Sequence, residues 1–314
     1  MSLVHGAPES ALDVCLCTHS PDPAIFRRVL DALATQRESR GRYTVLIIDN
    51  ASEPPLDESI LDDLVANHIE CRLIHEPNLG LVNARTRGIR ESRAPLILFV
   101  DDDNELSPTY VAAALEIARN DVGIGCFGGK IRLPDGITPP WYLGDYVRFL
   151  AIRDDGEESI TRLTHEWGPW EPIGAGAIVR RELAELFVQR VDSDSRVRAL
   201  GRRGRAGLYC GEDNLMMRSA AQLGMKSSYQ PRLSLIHHMP KSRFRVGYML
   251  RLLYWFGRSD VLLNRILWGE FLKPDPRPLW RTIPGRIGRM LRFPFRSLFD
   301  LAVGLGRWVE LKNG

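Results

Sequence analysis

The alternation of short apolar runs with helix-like stretches, which begins at residue 12, restricts the possible folds more than any other feature. The first four apolar runs cover residues 12–18, 43–49, 71–75 and 95–101. Between them, apolar residues recur at helical spacing, as Val29, Leu30 and Leu33 do. Strands that alternate with helices favour a parallel sheet covered by helices. We therefore predict an α/β fold with a mostly parallel sheet flanked by helices.

Three aspartates, Asp101, Asp102 and Asp103, directly follow the fourth apolar run. A run of like charges is often only a solvated surface. However, open α/β sheets bind their ligands at the carboxyl ends of the strands. Adjacent carboxylates repel one another unless a cation joins them, and their oxygens are ligands that hard divalent cations prefer. The position of this acidic triplet therefore indicates a metal-dependent site.

Polar residues also end the three preceding strands. They are Thr18 and His19, then Asp49, Asn50 and Ser52, then Glu76 and Asn78. Each one alone is typical of a turn or a helix cap. Together on one edge of a sheet, they favour a site for a polar ligand such as a nucleoside. Arg85 follows this edge, and it is either an exposed helix arginine or a planar guanidinium for phosphate or carboxylate recognition.

Two later clusters also carry groups that suit catalysis. Glu212 and Asp213 precede an apolar helical stripe, where they are either partners of the helix dipole or a general base facing a cleft. His237 and His238 end a predicted strand, and adjacent strand residues point to opposite faces. One histidine together with aspartates suits Mn²⁺, and the sequence leaves the choice between the two histidines open.

Charge is distributed unevenly along the 314 residues. The net charge is +3, but residues 239–314 hold 15 Lys/Arg and 5 Asp/Glu, a local charge of +10 that leaves −7 for the rest. After Pro294, apolar residues recur at helical spacing among arginines and tryptophans. The apolar stripe is Phe295, Leu298, Phe299, Ala302, Leu305 and Val309. Positive charge nearby comes from Arg289, Arg292, Arg296 and Arg307, and Trp280 and Trp308 are the kind of side chain that lies at headgroup depth. We predict a basic, amphipathic, helical region at 241–314. It lies on an anionic membrane surface or packs on the catalytic body or on a second copy of the chain.

Cysteine content and hydropathy predict the compartment. The five cysteines make no C-x-x-C pair, and Cys15 and Cys17 would share one face of a strand. These residues are typical of buried thiols in a reducing compartment. The sequence shows no signal peptide and no run of 18 apolar residues. We expect a cytoplasmic protein that is at most peripheral on the inner face of the cell membrane.

Six motifs, in order, resemble those of glycosyltransferase family 2, the inverting enzymes of the GT-A fold. They are "CLCTHSPD", "LIIDNAS", "NLGLVNARTRGI", "FVDDDNEL", "PIGAGAIVRREL" and "CGEDNLMMR". The resemblance covers about residues 12 to 240. It implies a Rossmann-like GT-A catalytic domain at 1–240, with a donor half at about 12–133 and an acceptor half at about 134–240.

The resemblance also implies roles for the matching residues. Asp101 and Asp103 would form the D-x-D motif and bind Mn²⁺ or Mg²⁺ together with His237. Asp213, beside Glu212, would match the catalytic base. The other donor-binding residues would be Thr18, His19, Asp49 at the base, Asn78, Gly80, Arg85 and Asp102, and the acceptor-side loop would include Gly174 and Gly176.

The activity that the resemblance implies is metal-dependent transfer of a sugar, in the manner of a hexosyltransferase, with inversion. The donor would be a nucleotide-sugar and the acceptor a saccharide or a lipid-linked hydroxyl, in polysaccharide or glycolipid synthesis. A nucleotidyltransferase or sugar-phosphate pyrophosphorylase is an alternative, but "THSPDPAIF" lacks the glycine-rich phosphate loop of that class. A non-enzymatic, nucleic-acid-binding protein is a further alternative, but the basic tail interleaves Trp, Leu and Phe with arginine, which favours an interfacial helix. We therefore expect no nucleic-acid partner, and a homodimer is left open.

Overall fold

The computed structural model describes residues 10–37, 39, 41–202, 208–269 and 294–312. The strands are β1 Leu12–Thr18, β2 Tyr43–Asn50, β3 Glu70–Glu76, β4 Leu96–Asp101, β5 Asn104–Leu106, β6 Ile124–Arg132, β7 Ile160–Arg162, β8 Ile178–Arg180 and β9 Lys226–His237. The α-helices are α1 Pro23–Ala34, α2 Asp62–Ala66, α3 Leu81–Glu91, α4 Tyr110–Asn120, α5 Arg181–Ser193, α6 Glu212–Arg218, α7 Val246–Trp268 and α8 Pro294–Lys312. Short 3₁₀ segments lie at Glu58–Leu61, Trp141–Leu150, Val197–Leu200, Ser219–Leu223 and Lys241–Phe244.

In the part of the chain that is described, these strands form one sheet in the order β3-β2-β1-β4-β8-β6-β9-β5, with β7 pairing β9. The first four strands are parallel neighbours, as the alternation of the sequence predicts. Beyond β4 the sheet is mixed, because β6 and β9 are parallel, whereas β8 is antiparallel to β4 and β6, and β5 and β7 are antiparallel to β9. Strands of three residues are too short to show a period in the sequence.

The sheet lies between two helical layers. Every residue of β1 and β2 is buried, so both faces of these strands are covered. Leu12, Val14 and Leu16 pack with α1 and α4 on one face. Cys15 and Cys17 point to the other face, toward α3, α5 and α6, as their spacing predicts. The carboxyl ends of β1, β2 and β4 are thereby left open along one edge.

Helix α1 begins close to this open edge for local reasons. The side chain of Asp22 accepts hydrogen bonds from the backbone N–H groups of Ala24 and Ile25, at 3.0 and 3.1 Å. Pro23 occupies the first turn, where its missing N–H costs nothing. The helix therefore starts after a four-residue turn that follows β1, and this turn carries His19 at the edge of the sheet.

Helices α7 and α8 pack against each other and against the segment Trp141–Leu150. Their backbones touch at two glycines, because a Cβ on Gly257 would overlap the carbonyl oxygen of Val303, and one on Gly306 would overlap that of Tyr254. Phe299 is fully buried in the resulting cluster. The part of the predicted stripe around Phe299 thus packs on the body of the protein, one of the alternatives predicted for the tail.

The outward face of α8 differs from the predicted stripe. Leu305 was expected on the same face as Phe299, yet it is 50% exposed, beside the exposed Leu301 and Trp308. Because α8 contacts α7 through Gly306, the face of α8 that packs on the body is rotated relative to the apolar stripe of the sequence. Trp280, Arg289 and Arg292 lie outside the described residues. Within the described ranges, none of the helices is long and apolar enough to cross a membrane.

Candidate active site

A cleft of about 1240 Å³ opens at the carboxyl ends of β1 and β4. Most of the residues predicted from the sequence line it. They are Thr18, His19, Gly80, Arg85, Asp101, Asp102, Asp103, Gly174, Glu212, Asp213 and His237. Asp49, Asn78 and Gly176 lie beside the cleft and are not part of its lining. The cleft brings the donor-side motifs and the later acidic pair to one place.

Asp49 does not line the cleft in this structure, and its contact with the base stays a prediction. Its side chain is only 1% exposed and accepts hydrogen bonds from the backbone of Ser52 and Leu56, at 3.3 and 3.0 Å. His75 contacts the same carboxylate at 3.0 Å. Burial opposes the charge of Asp49, but these hydrogen bonds outweigh it and lower the pKa. Asp49 therefore holds the loop after β2 through these hydrogen bonds.

Asn50, one of the polar residues at the end of β2, lines the cleft in place of its neighbour Asp49. Its side-chain amide donates to the backbone oxygens of Glu76 and Asn78, and its Oδ1 accepts from Gly80 N at 2.8 Å. His19 contacts the backbone oxygen of Asn50 at 2.8 Å. Asn50 thus ties together the loops that follow β1, β2 and β3. Asn78 serves this network through its backbone.

Asp102 and Asp101 sit at the end of β4 in an environment that disfavours their charge. Thr18 donates to Asp102 across 2.6 Å. Burial raises the pKa of Asp102 to about 6, with the neighbouring Asp103 and Asp101 adding to the effect of burial. Burial also raises the pKa of Asp101, although Arg85 works in the opposite direction. Two closely spaced, buried carboxylates are the kind of group that a cationic ligand stabilises.

The two histidines have separate partners. His237 Nε2 lies 3.3 Å from Asp103 Oδ2, whereas His238 Nε2 lies 2.7 Å from Glu105. Burial opposes the charge of Asp103, but His237 and Arg243 hold its pKa below the usual value. Of the pair that the sequence left open, His237 is thus the one that faces the acidic triplet.

The residues around Asp103 can hold part of a divalent metal site. In the described ranges, no group of three His, Cys, Asp or Glu side chains is arranged to bind a metal by itself. Asp103 and His237 offer one carboxylate and one imidazole, and the buried Nδ1 of His237 has no hydrogen-bond partner among the described residues. Mg²⁺ usually keeps water and substrate phosphate among its ligands. The donor set therefore fits an ion whose coordination a phosphate ligand completes.

Arg85 is buried and lines the cleft, so its interpretation as an exposed helix arginine is wrong. Its Nη1 donates to Glu212 at 3.0 Å, and its Nη2 lies 3.6 Å from Asp101. The guanidinium also lies over the ring of Phe99. Burial works to lower the pKa of Arg85, but the surrounding carboxylates outweigh it and raise the pKa. Arg85 thus links the donor-side triplet to the later acidic pair.

Asp213 is held by the glycine loop that the sequence predicted. Gly174 N donates to Asp213 Oδ2 at 3.0 Å. A Cβ on Gly174 would lie 2.8 Å from Arg85 and 2.9 Å from Asp213, so a larger residue would displace the ends of these two side chains. Gly176 is in the same loop as Gly174 but does not line the cleft. It has a φ of +74° and packs under the hydroxyl of Tyr110.

Glu171 was missed because it lies in a Trp/Pro-rich stretch without a regular period. It is buried, accepts from Asn214 at 2.5 Å and pairs with Arg218 at 3.0 Å. Asn214 and Arg218 stand one turn apart on α6, a spacing that could have indicated a shared partner. Glu171 therefore fixes the first turn of the helix that begins with the acidic pair.

Helices α7 and α8 form the far wall of the cleft. Asp260 and Asn264 contribute from α7, and Val303 and Arg307 from α8. Arg307 pairs with Asp260 at 2.8 Å. The sequence predicted a helical tail at 241–314 but contained no local signal that this tail would reach the site.

The fold is that of the GT-A type of glycosyltransferase structures. Two solved structures share the fold over nearly the whole chain. Mannosyltransferase PcManGT from Pyrobaculum calidifontis, in complex with GDP-Man and Mn²⁺, is 13% identical with a TM-score of 0.58, over 98% of this chain and 88% of that one. TarS 1-349 of S. aureus, in complex with UDP, is 15% identical with a TM-score of 0.50, over 96% and 88%.

The chain belongs to glycosyl transferase family 2, whose model matches residues 13–187. It is also 22% identical over 250 residues to the succinoglycan biosynthesis protein ExoM of Rhizobium meliloti (strain 1021), which covers 79% of this chain and 73% of ExoM. The predicted family, GT-A fold and enzyme class are therefore confirmed. The pyrophosphorylase and non-enzymatic alternatives are wrong for this chain.

Proposed function

We propose that this glycosyltransferase is an inverting, divalent-metal-dependent enzyme. It moves a sugar from a nucleotide-sugar to a hydroxyl of a saccharide or lipid-linked acceptor, in polysaccharide or glycolipid synthesis. The observation that carries this proposal is that Asp103, with His237, and Asp213 line one cleft from its two halves. The succinoglycan role in the name of ExoM supports the polysaccharide setting.

The donor diphosphate is proposed to lie against Asp103 and His237, with Asp101 behind them. These residues would hold Mn²⁺ or Mg²⁺, which supplies charge neutralisation and Lewis-acid stabilisation of the leaving nucleoside diphosphate when bound. The GDP-Man and Mn²⁺ in the PcManGT structure, and the UDP in that of TarS, support this class of ligand. Asn50 and Gly80, which line the same edge, position the nucleoside side of the donor.

Asp213 is proposed as the general base. Its carboxylate takes the proton of the acceptor hydroxyl as that oxygen attacks the anomeric carbon, opposite the leaving diphosphate. A single displacement of this kind inverts the configuration and forms no glycosyl-enzyme intermediate. The Gly174 N–H holds one oxygen of Asp213, so the carboxylate keeps its direction during the transfer. Glu212, the chain neighbour of Asp213, accepts a hydrogen bond from Arg85 and thereby supports the position of the base.

The division of the chain and its location are part of the proposal. Residues 1–240 form the catalytic domain, with donor and acceptor halves that meet near residue 133, and residues 241–314 form the basic helical region. We propose that this cytoplasmic enzyme rests on the inner face of the membrane through α8. The exposed Leu301, Leu305 and Trp308 support contact with lipid, and Arg307 and Lys312 support attraction to anionic headgroups. Burial of the same face in a homodimer is the alternative.

A panel of nucleotide-sugars, assayed with and without Mn²⁺, tests the function. We expect at least one donor to release its nucleoside diphosphate in the presence of Mn²⁺, and EDTA to stop the release.

Asp103→Asn should lose metal-dependent donor binding in calorimetry and keep its fold. Asp62→Asn, an exposed carboxylate outside the cleft, is the matched control and should behave like wild type. Equal donor binding by Asp103→Asn and wild type would remove Asp103 from the metal site. Failure of every donor would refute the function.

A further inference from the structure

The turn at residues 208–211 leads directly into Glu212 and Asp213. Its conformation is not held by the residues of the turn alone. Gly211 precedes helix α6 with a φ of +117°, and no side chain caps the helix start. Glycine is the residue that adopts this backbone conformation without strain, but it also leaves the backbone free to move. The direction of the acidic pair therefore depends on contacts from elsewhere in the molecule.

Helix α7 provides the first such contact. Ser259 is buried in this helix, and its hydroxyl accepts a hydrogen bond from Cys210 N at 3.0 Å. This bond fixes the backbone of the turn two residues before Glu212. It joins the catalytic carboxylates to a helix that lies beyond the matched family region at 13–187.

Helix α8 provides the second contact, through the nearly buried Glu310. One carboxylate oxygen of Glu310 accepts from the hydroxyl of Tyr209 at 3.0 Å and from Arg258 Nε at 2.7 Å. The Arg258 guanidinium also lies over the rings of Tyr209 and Trp255, at 5.1 and 4.9 Å from their centroids. Burial, together with the bond to Glu310, raises the pKa of Tyr209 to about 12, so the hydroxyl remains a donor at neutral pH. Glu310 thus bridges the turn, α7 and α8.

A buried ion pair of this kind is weak evidence for stability, because desolvation of the two charges offsets their attraction. Its geometry is specific, however, since two donors converge on one oxygen. The close approach of α7 and α8 at Gly257 and Gly306 sets the distance between Arg258 and Glu310. This geometry is therefore better suited to fixing the orientation of the turn than to stabilising the fold.

We propose that Glu310 is a positioning residue, which acts through Tyr209 to hold the 208–211 turn and thereby aims Asp213 at the acceptor. Helices α7 and α8 then contribute to the function of the acceptor half, as their place in the cleft wall also indicates. This inference rests on the proposed role of Asp213 as the base.

The test compares Tyr209→Phe, Glu310→Ala and Glu310→Gln in the full chain. The assay is release of nucleoside diphosphate from whichever nucleotide-sugar wild type turns over, with water as the acceptor. We expect kcat to fall roughly 10- to 100-fold in Tyr209→Phe and Glu310→Ala, because small displacements of a catalytic group cost rates of this order. Donor Kd and binding stoichiometry should not change, because the donor half is untouched.

Glu310→Gln keeps an acceptor oxygen and should recover part of the lost rate. The double variant Tyr209→Phe/Glu310→Ala should be no slower than Glu310→Ala alone, since the two residues act through one bond. Tyr146→Phe is the matched control, because it removes another tyrosine–carboxylate hydrogen bond on α8, the one to Asp300 at 2.5 Å, without touching the turn. Its kcat should remain that of wild type.

A purely structural role would lower the unfolding temperature or the donor stoichiometry and leave kcat per binding site unchanged, and this result would overturn the inference. Wild-type kcat in both Tyr209→Phe and Glu310→Ala would overturn it as well. If Glu310→Ala does not fold, Tyr209→Phe alone decides, because it removes one oxygen atom from a half-buried ring. Absence of turnover in wild type with every donor would instead refute the proposed function itself.

Discussion

Glu212 and Asp213 are adjacent in the sequence, but they have different surroundings. Glu212 is 4% exposed and bound to Arg85, whereas Asp213 is only partly buried and accepts from the backbone of Gly174. An acceptor hydroxyl can therefore reach Asp213 more easily than Glu212. Each residue leads to a different prediction.

Asp213→Asn should lower kcat by roughly 10² to 10⁴, the usual contribution of proton transfer to a positioned base. Donor affinity should barely change, because the donor side of the cleft keeps its contacts. Steady-state kinetics and donor calorimetry on the same preparation check both statements. Turnover above about a tenth of the wild-type value would assign the base to another residue, with Glu212→Gln as the first comparison.

The pH dependence of stability should report on Glu212. Burial raises the pKa of Glu212 from 4.5 to about 7, and Asp213 adds to this, while Arg85 opposes it. The folded protein therefore holds this proton more tightly than the unfolded chain. The stability that it contributes is present below pH 4.5 and is lost as pH rises through about 7.

Urea unfolding of wild type and Glu212→Gln between pH 5 and pH 8 checks this sign. Wild type should lose stability relative to the variant as pH rises, by at most about 1.4 kcal/mol per pH unit for one proton. A gain relative to the variant would mean that the ion pair with Arg85 outweighs burial.

At the scale of elements, the packing of α7 on α8 combines buried side chains such as Phe299 with direct backbone contact at glycines. Gly306 lies against the carbonyl of Tyr254, and a Cβ there would force the helices apart. Gly304, on the same helix, has no atom within 4 Å of such a Cβ. These two glycines therefore form a matched pair for testing the contact.

Gly306→Ala should lower the free energy of unfolding by about 1 to 3 kcal/mol, the usual effect of overpacking. Gly304→Ala should raise it by several tenths to about 1 kcal/mol, because alanine favours the helix over glycine. Denaturant unfolding of the two variants beside wild type measures both. Equal effects of the two substitutions would contradict the observed helix contact.

At the scale of the whole molecule, α8 has two faces with different surroundings. Phe299 and Gly306 face the body, while Leu301, Leu305 and Trp308 are exposed beside basic residues. If the outward face lies on a membrane, the helix joins the lipid surface to the wall of the active-site cleft.

The full chain should therefore bind anionic vesicles at low salt. Attraction of about 1 kcal/mol per basic residue near the surface is expected, and salt should weaken it. Co-sedimentation with vesicles of anionic and of neutral lipid measures it. Leu305→Ser/Trp308→Ser should reduce binding, whereas Val122→Ser, which changes an exposed apolar residue far along the chain, should not. If wild type does not bind anionic vesicles at low salt, the membrane role is refuted.

By itself, the amino-acid sequence determined the first four strands, the acidic triplet at a strand end and the family of the chain. These are local properties, since a strand, its period and the turn after it lie within about ten residues. Only the tertiary structure decided that His237 and not His238 meets Asp103, that Asp49 binds the backbone of the loop after β2, and that Arg85 binds Glu212. Arg85 and Glu212 are 127 positions apart, and the contribution of α8 to the cleft comes from still farther along the chain. Such contacts depend on how the sheet and the helices pack together, and the local spacing of residues in the sequence does not predict that packing.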